Sequence, residues 1–337
     1  MNTDRFDAIT ARYPHLRVAI VGDFCLDRYL EIDLDRAEIS IETNLPVHNV
    51  TRIRSQPGAA GTILNNLVAL GVGGIQPVGF CGDDGEGYEL TRAMQALPGV
   101  RLGGFIKTSG RHTFTYTKPL VCRNGKEPQE LNRLDIKNWS PTPGEVRQQI
   151  VQAATAALQT TDATIVLDQV DIPDTGVVVP EWLDVLRNPA NTHGRLVIGD
   201  SRRGLRGWPP VILKMNAAEL AKLSGESQAV GVEAIRLQAR SLAHRMQTTV
   251  FITMAERGIV AARHGEDAIH VPALPIRGPI DIVGAGDAVT ANLIVALAAG
   301  ATLAEAMEIA MGAASVVIHQ LGTTGTASVG QIRSLIL

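Results

Sequence analysis

Asp281-Ile282-Val283-Gly284-Ala285-Gly286-Asp287-Ala288 runs straight into an apolar stretch, residues 288–299, interrupted only by Thr290 and Asn292. Consecutive small residues at the start of a helix leave backbone N–H groups unpaired, and with the helix dipole these form an anion hole. A carboxylate beside that hole is a poor ligand for phosphate. It becomes useful when Asp287 takes a proton from a hydroxyl attacking a phosphate held over Gly284, Ala285 and Gly286. The same spacing also suits a plain N-cap aspartate after a glycine turn, and spacing alone weighs the two readings equally.

Outward from this stretch, β-prone apolar runs alternate with helix-period segments along most of the chain. That alternation predicts an α/β fold with a mostly parallel sheet covered by helices. Strands are expected at residues 16–21, 75–81, 163–167, 195–198, 211–214 and 250–253. Helices are expected at 61–70, 87–97, 144–158, 180–187, 217–224, 233–246, 285–299 and 303–320. Residues 29–54 and 111–135 break the rhythm with short β-prone runs and charges, and are expected to form a small β-sheet lid. Arg123-Asn124-Gly125-Lys126 reads as the type I′ turn of a hairpin in that lid. A sheet so small must close on a ligand or pair with a second subunit, here a homodimer through the lid.

Composition narrows the function classes. The 337 residues carry Lys+Arg 31 against Asp+Glu 34, so nothing resembles an electrostatic nucleic-acid footprint. The apolar stretches fall short of the roughly 20 residues that span a bilayer. The acidic N-terminus has no apolar signal core, and Cys25, Cys81 and Cys122 lack CxxC spacing, which suits a reducing cytoplasm. No Walker A, GxGxxG, GxSxG or HExxH pattern occurs, and the eight His residues lack metal-ligand spacing.

Five stretches in order carry a resemblance. They are Gly22-Asp23 with Leu26-Asp27-Arg28-Tyr29; Pro57-Gly58-Ala59-Ala60-Gly61-Thr62 through Asn66; Val78 to Gly87; Lys214-Met215-Asn216-Ala217-Ala218-Glu219; and Gly284 to Asp287. Together they resemble the ribokinase-like (PfkB) carbohydrate kinases. Within that family the closest likeness is to the kinase domain of bacterial D-glycero-D-manno-heptose-7-phosphate kinases, through residues 26–29, 199–202 and 320–326. With the chain ending soon after that tail, the nucleotidyltransferase domain sometimes fused to such kinases is not expected.

The resemblance implies one ribokinase-like kinase domain over residues 1–337, a three-layer α/β/α sandwich with a β lid. It implies ATP-dependent phosphorylation of a sugar or sugar-phosphate hydroxyl, with Mg²⁺ and, in many members, a monovalent cation such as K⁺. Carried over by position, Asp287 is the base and Gly284, Ala285 and Gly286 the anion hole. Asp27, Gly58, Ala59 and Thr62 would meet the sugar, and Arg28 and Arg111 a phosphate already on it. Asn216 and Glu219 would organise Mg²⁺ through water, although Asn216 also suits a helix N-cap. Arg202, Thr253 and Gly258 would serve the nucleotide, and Asp281 the monovalent cation. The chain departs from the family pattern where Thr62 replaces a sugar-binding Asn, where Ala59 and Ala255 replace glycines, and where Ile282 replaces a Thr.

Other readings compete with a sugar-phosphate kinase. A hexose, ketose or nucleoside kinase shares the motifs, and a catalytically silent sugar or nucleotide sensor shares the fold. The sensor has no use for a base aimed at an anion hole, and an NAD oxidoreductase lacks its fingerprint.

Overall fold

The structure is a computed structural model and describes residues 1–123, 128–225 and 231–337. Among the described residues a nine-stranded sheet runs Ile269–Val271, Ile259–Arg263, Thr249–Thr253, Ile212–Asn216, Leu196–Ser201, Ala163–Asp168, Arg17–Gly22, Gly74–Gly82, Gly104–Thr108. All pairings are parallel except the two that add Ile259–Arg263 and Ile269–Val271 at one edge.

A sheet buried on both faces must be apolar at every position, and the central strands are. Val18 and Ile20 point into one core while Ala19 and Val21 point into the other. The first core is closed by helices Thr3–Thr10, Ala60–Ala69, Ala285–Ala298 and Leu303–Val317, through side chains such as Phe6, Leu64, Leu293 and Ile309. Helices Gly144–Thr160, Pro180–Arg187 and Val232–Met246 close the second through Ile150, Trp182 and Leu242. This is the expected three-layer sandwich. The sequence reading did not anticipate Thr3–Thr10, Gly104–Thr108 or the two antiparallel edge strands, which are short and carry little periodic signal.

The second sheet pairs Leu134–Ile136, Thr115–Cys122, Phe24–Asp33 and Val50–Ala59, with Gln129–Glu130 added beside Thr115–Cys122. It is larger than the expected lid, since its first strand starts at Phe24 and its second runs on to Ala59. Asp27 and Arg28 therefore lie on a lid strand, and Gly58 and Ala59 end another. Asn124, Gly125 and Lys126 of the expected hairpin turn lie outside the described residues.

Candidate active site

Polar residues close the carboxyl ends of the main strands. Asp23 follows Gly22, Asp168 and Ser201 end theirs, and Asn216 and Thr253 end the next two. In open α/β sheets ligands bind along that edge. Gly284, at φ +82°, caps helix Ala285–Ala298 there. The Ala285 N–H donates to Ile282 O at 3.2 Å, whereas the N–H groups of Gly286 and Asp287 meet no backbone carbonyl among the described residues. They are the orphan donors of a helix start.

This turn divides two cavities. Ala285 and Gly286 face a largely apolar one of about 380 Å³, with Asn216, Thr253, Ala255, Gly258, Ile282 and Met311 among its walls. Gly284 and Asp287 face a charged one of about 210 Å³, with Asp27, Ala59, Thr62, Lys118, Arg133, Lys137 and Arg202. Two expected groups thus meet at one wall: the substrate residues Asp27, Ala59 and Thr62, and the nucleotide residues Asn216, Thr253 and Gly258.

Burial pushes the Asp287 carboxyl up to about 7, opposed by Lys214 and reinforced by Asp200 and Asp27. Lys214 is buried, and its Nζ donates to Asp200 Oδ2 at 2.8 Å. The Thr290 hydroxyl donates to the same oxygen at 3.2 Å. A Cβ built on Gly286 would stand 3.1 Å from Lys214 Nζ, so the ammonium lies directly behind the turn. Asp27 is 6% exposed, and burial raises its carboxyl against the pull of Lys118 and Arg133.

Several sequence expectations change. Arg28 projects from the opposite face of its strand to Asp27 and pairs with Glu86, at 3.2 Å, and with Glu89, outside the charged pocket. Arg111 is 5% exposed and donates to the carbonyls of Ser140 and Thr175, at 2.8 and 2.6 Å, so it braces loops and does not line the charged pocket. A Cβ on Gly58 would stand 2.4 Å from Asp27 Oδ2, so its missing side chain makes room for Asp27, not for a sugar. Arg202 lines the charged pocket and binds Asp171 at 3.0 Å, away from the nucleotide side. Asp281 accepts from the Val283 N–H at 3.0 Å and the Gly322 N–H at 3.4 Å, so both its oxygens clamp the turn before any cation is considered.

Asn216 and Glu219 form a reciprocal capping box, at 2.9 and 2.8 Å. Each spends one oxygen on the helix start, and among the described residues no group of three or more His, Cys, Asp or Glu side chains is placed to hold a metal. That donor set fits Mg²⁺ brought by nucleotide phosphates and touched through its waters, and does not fit a protein cage. Sequence reasoning missed Lys118, Arg133, Lys137 and Asp171 in the charged pocket, and Lys214 and Asp200 behind the turn. Lys214 was visible two residues before Asn216.

The pattern of the pfkB family carbohydrate kinases matches residues 18–329. The bifunctional protein HldE of Gluconobacter oxydans is 27% identical over 311 residues, covering 91% of this chain and 62% of that protein. HldE of Shewanella sp. strain MR-4 is 30% identical over 329 residues, 95% of this chain and 64% of that protein. The chain spans less than two thirds of the length of these relatives. Among solved structures, Arabidopsis thaliana ribokinase complexed with ribose and ATP matches with TM-score 0.67 at 21% identity, covering 95% of this chain and 98% of that one. Escherichia coli phosphofructokinase-2 in complex with substrates and products matches with TM-score 0.69 at 16% identity, with coverage of 95% and 98%. These two likenesses are of fold. Taken with a family match across nearly the whole chain, they accompany one conclusion: the protein belongs to the pfkB family of carbohydrate kinases.

Proposed function

We propose that the protein transfers the γ-phosphoryl group of ATP to a hydroxyl of a sugar that already carries a phosphate, with Asp287 as the base. One observation carries this reading: residues 284–287 are the wall between an apolar cavity suited to a nucleotide and a charged pocket suited to a polar substrate. A hydroxyl placed between Asp27 and Asp287 faces the phosphate chain across that wall. Asp287 takes its proton as the new O–P bond forms and the bond from the γ-phosphorus to the bridging β-phosphate oxygen breaks, releasing ADP. The Gly286 and Asp287 N–H groups, with the Lys214 ammonium behind them, receive the charge on the transferred group. Asn216 and Glu219 would hold, through its waters, a Mg²⁺ that comes with the nucleotide, and that ion would supply neutralisation of the phosphate oxygens.

Lys118, Arg133, Lys137 and Arg202 around the pocket support a phosphate on the substrate. A heptose 7-phosphate is the substrate we favour, on the resemblance of residues 26–29 and 320–326, and we place the enzyme in the cytoplasm with small-molecule partners. Exposed Ile53 on the lid sheet, with exposed Ile39, Ile41 and Leu45 on the two-stranded ribbon Glu38–Ile39 and Pro46–Val47 that precedes its strand Val50–Ala59, supports a homodimer through this region. Light scattering at micromolar protein is expected to give twice the chain mass, and a monomer would sink the dimer.

The kinase reading is tested by ADP release from Mg-ATP with sugar phosphates, neutral sugars and nucleosides, beside Asp287→Asn. Turnover on a phosphorylated sugar is expected, with kcat falling roughly 10³-fold in the variant while nucleotide affinity holds. Turnover confined to neutral sugars or nucleosides would overturn the substrate class. Nucleotide binding without turnover on any compound would favour the silent sensor.

A further inference from the structure

Four cations line the charged pocket, and three are already answered by carboxylates. Asp135 holds Arg133 through two bonds, at 2.7 and 2.8 Å. Lys137 and Arg202 converge on a single residue: Lys137 Nζ lies 2.9 Å from Asp171 Oδ2, and Arg202 Nε 3.0 Å from Asp171 Oδ1. Lys118 makes no salt bridge among the described residues and packs over the Tyr29 ring at 5.0 Å. Lys137 directly follows the lid strand Leu134–Ile136, whereas Asp171 and Arg202 stand just past the ends of the main strands Ala163–Asp168 and Leu196–Ser201. Asp171 therefore ties lid to body across the substrate pocket.

We propose that Asp171 is an internal competitor for the substrate's phosphate: it holds Lys137 and Arg202 in place, yields both to an entering phosphate group, and reclaims them as the product leaves. The inference rests on the phosphorylated-substrate reading above and adds the residue that sets its affinity. The exchange is cheap to make. The side chains of Asp171 and Arg202 are 45% and 57% exposed, so water screens their pair strongly, and Lys137, 25% exposed, still has Asp135 at 3.9 Å when it leaves Asp171. A phosphate monoester brings more negative charge than a carboxylate and three acceptor oxygens, enough to engage Lys118 together with Lys137 and Arg202. The Lys137 bond and the nearby Arg202 hold the Asp171 carboxyl below its usual range, so it remains an anion throughout. Arg133 and the Tyr116 ring also face it. Once displaced, the exposed carboxylate turns into water, and its return after phosphoryl transfer helps expel a product that carries one phosphate more.

The test is calorimetric titration of the whole chain with inorganic phosphate, at saturating Mg²⁺ and a non-hydrolysable ATP analogue so that the anion hole is filled. Asp171→Asn is expected to bind phosphate roughly fivefold more tightly, the worth of one unit charge removed at contact distance in water. Lys137→Met is expected to bind it more weakly. Unchanged or weaker binding in Asp171→Asn overturns the proposal, as does the absence of phosphate binding in all three proteins. Asp171→Ser repeats the measurement should the asparagine variant fail to fold. Failure here is distinct from failure of the kinase reading: if Asp287-dependent ADP release survives while phosphate affinity ignores residue 171, only the competitor falls.

Discussion

The two cavities that meet at residues 284–287 are built on opposite terms. The apolar one is walled by segments of the main body, residues 253–258, 273–289 and 311–318 around Asn216, and offers area with few charges. The charged one is assembled by two bodies, with Asp27, Lys118 and Arg133 from the lid sheet and Asp171, Arg202 and Asp287 from the main fold. Area recognises any flat ring of the right size, whereas converging charges recognise one arrangement of polar groups. On the proposed reading, in which the charged pocket takes the substrate and the apolar cavity the nucleotide, a movement of the lid makes or breaks the first while leaving the second whole. The contrast teaches where specificity sits, and the partition shared by both sides is the place to break it.

Lys214 and Asp200 stand behind that partition and pull the Asp287 carboxyl in opposite directions. As the proposed base, Asp287 works only when ionised, so kcat/KM should rise with pH through about 7, the position to which burial pushes it, and level off above. Lys214→Met removes the one group that lowers this position. The rising limb should then move to higher pH, by about one unit for roughly a fivefold loss at neutral pH, and alkaline buffer should restore that part of the loss while the plateau stays lower for want of the ammonium behind the transferred group. Asp200→Asn removes a carboxylate that raises it, so the limb should move to lower pH. Rate profiles of the three proteins decide the matter. Two shifts of the same sign would show that both variants merely loosen the wall, and the electrostatic account of the partition would be lost.

How much of this was legible in the chain follows from how the residues are carried. Gly284 to Asp287 could be read because the turn, the orphan donors and the carboxylate are contiguous. The sandwich could be read because buried parallel strands are long apolar runs. The cationic wall could not. Lys118 reaches the pocket through the parallel pairing of Phe24–Asp33 with Thr115–Cys122, whose register sets Tyr116 beside Asp27 and Lys118 beside Tyr29. Nothing local in either strand announces a partner almost ninety residues away. The resemblance carried Arg28 to a phosphate on the substrate, yet side chains alternate along a strand, so its place next to Asp27 is what sends it to the far face beside Glu86 and Glu89. Placing the strand start at Phe24 would have excluded it.

The smallest effects sharpen the contrast most finely, because each cavity contains one alanine where the family pattern has glycine. Ala59 in the charged pocket has φ +53° and Ala255 in the apolar one φ +50°. A Cβ in that region strains the backbone by about 1 kcal/mol or more. Ala59→Gly and Ala255→Gly should each raise Tm, by about 2 °C for a chain of this size, read by calorimetry. Each also removes one methyl group from a cavity wall, worth up to about 0.8 kcal/mol or fourfold in binding. Ala59→Gly should therefore alter KM for the sugar and leave KM for ATP unchanged, and Ala255→Gly should do the reverse. A change in both constants from either variant would mean that the turn at residues 284–287 transmits strain from one cavity to the other, and the two sides would no longer count as independently built.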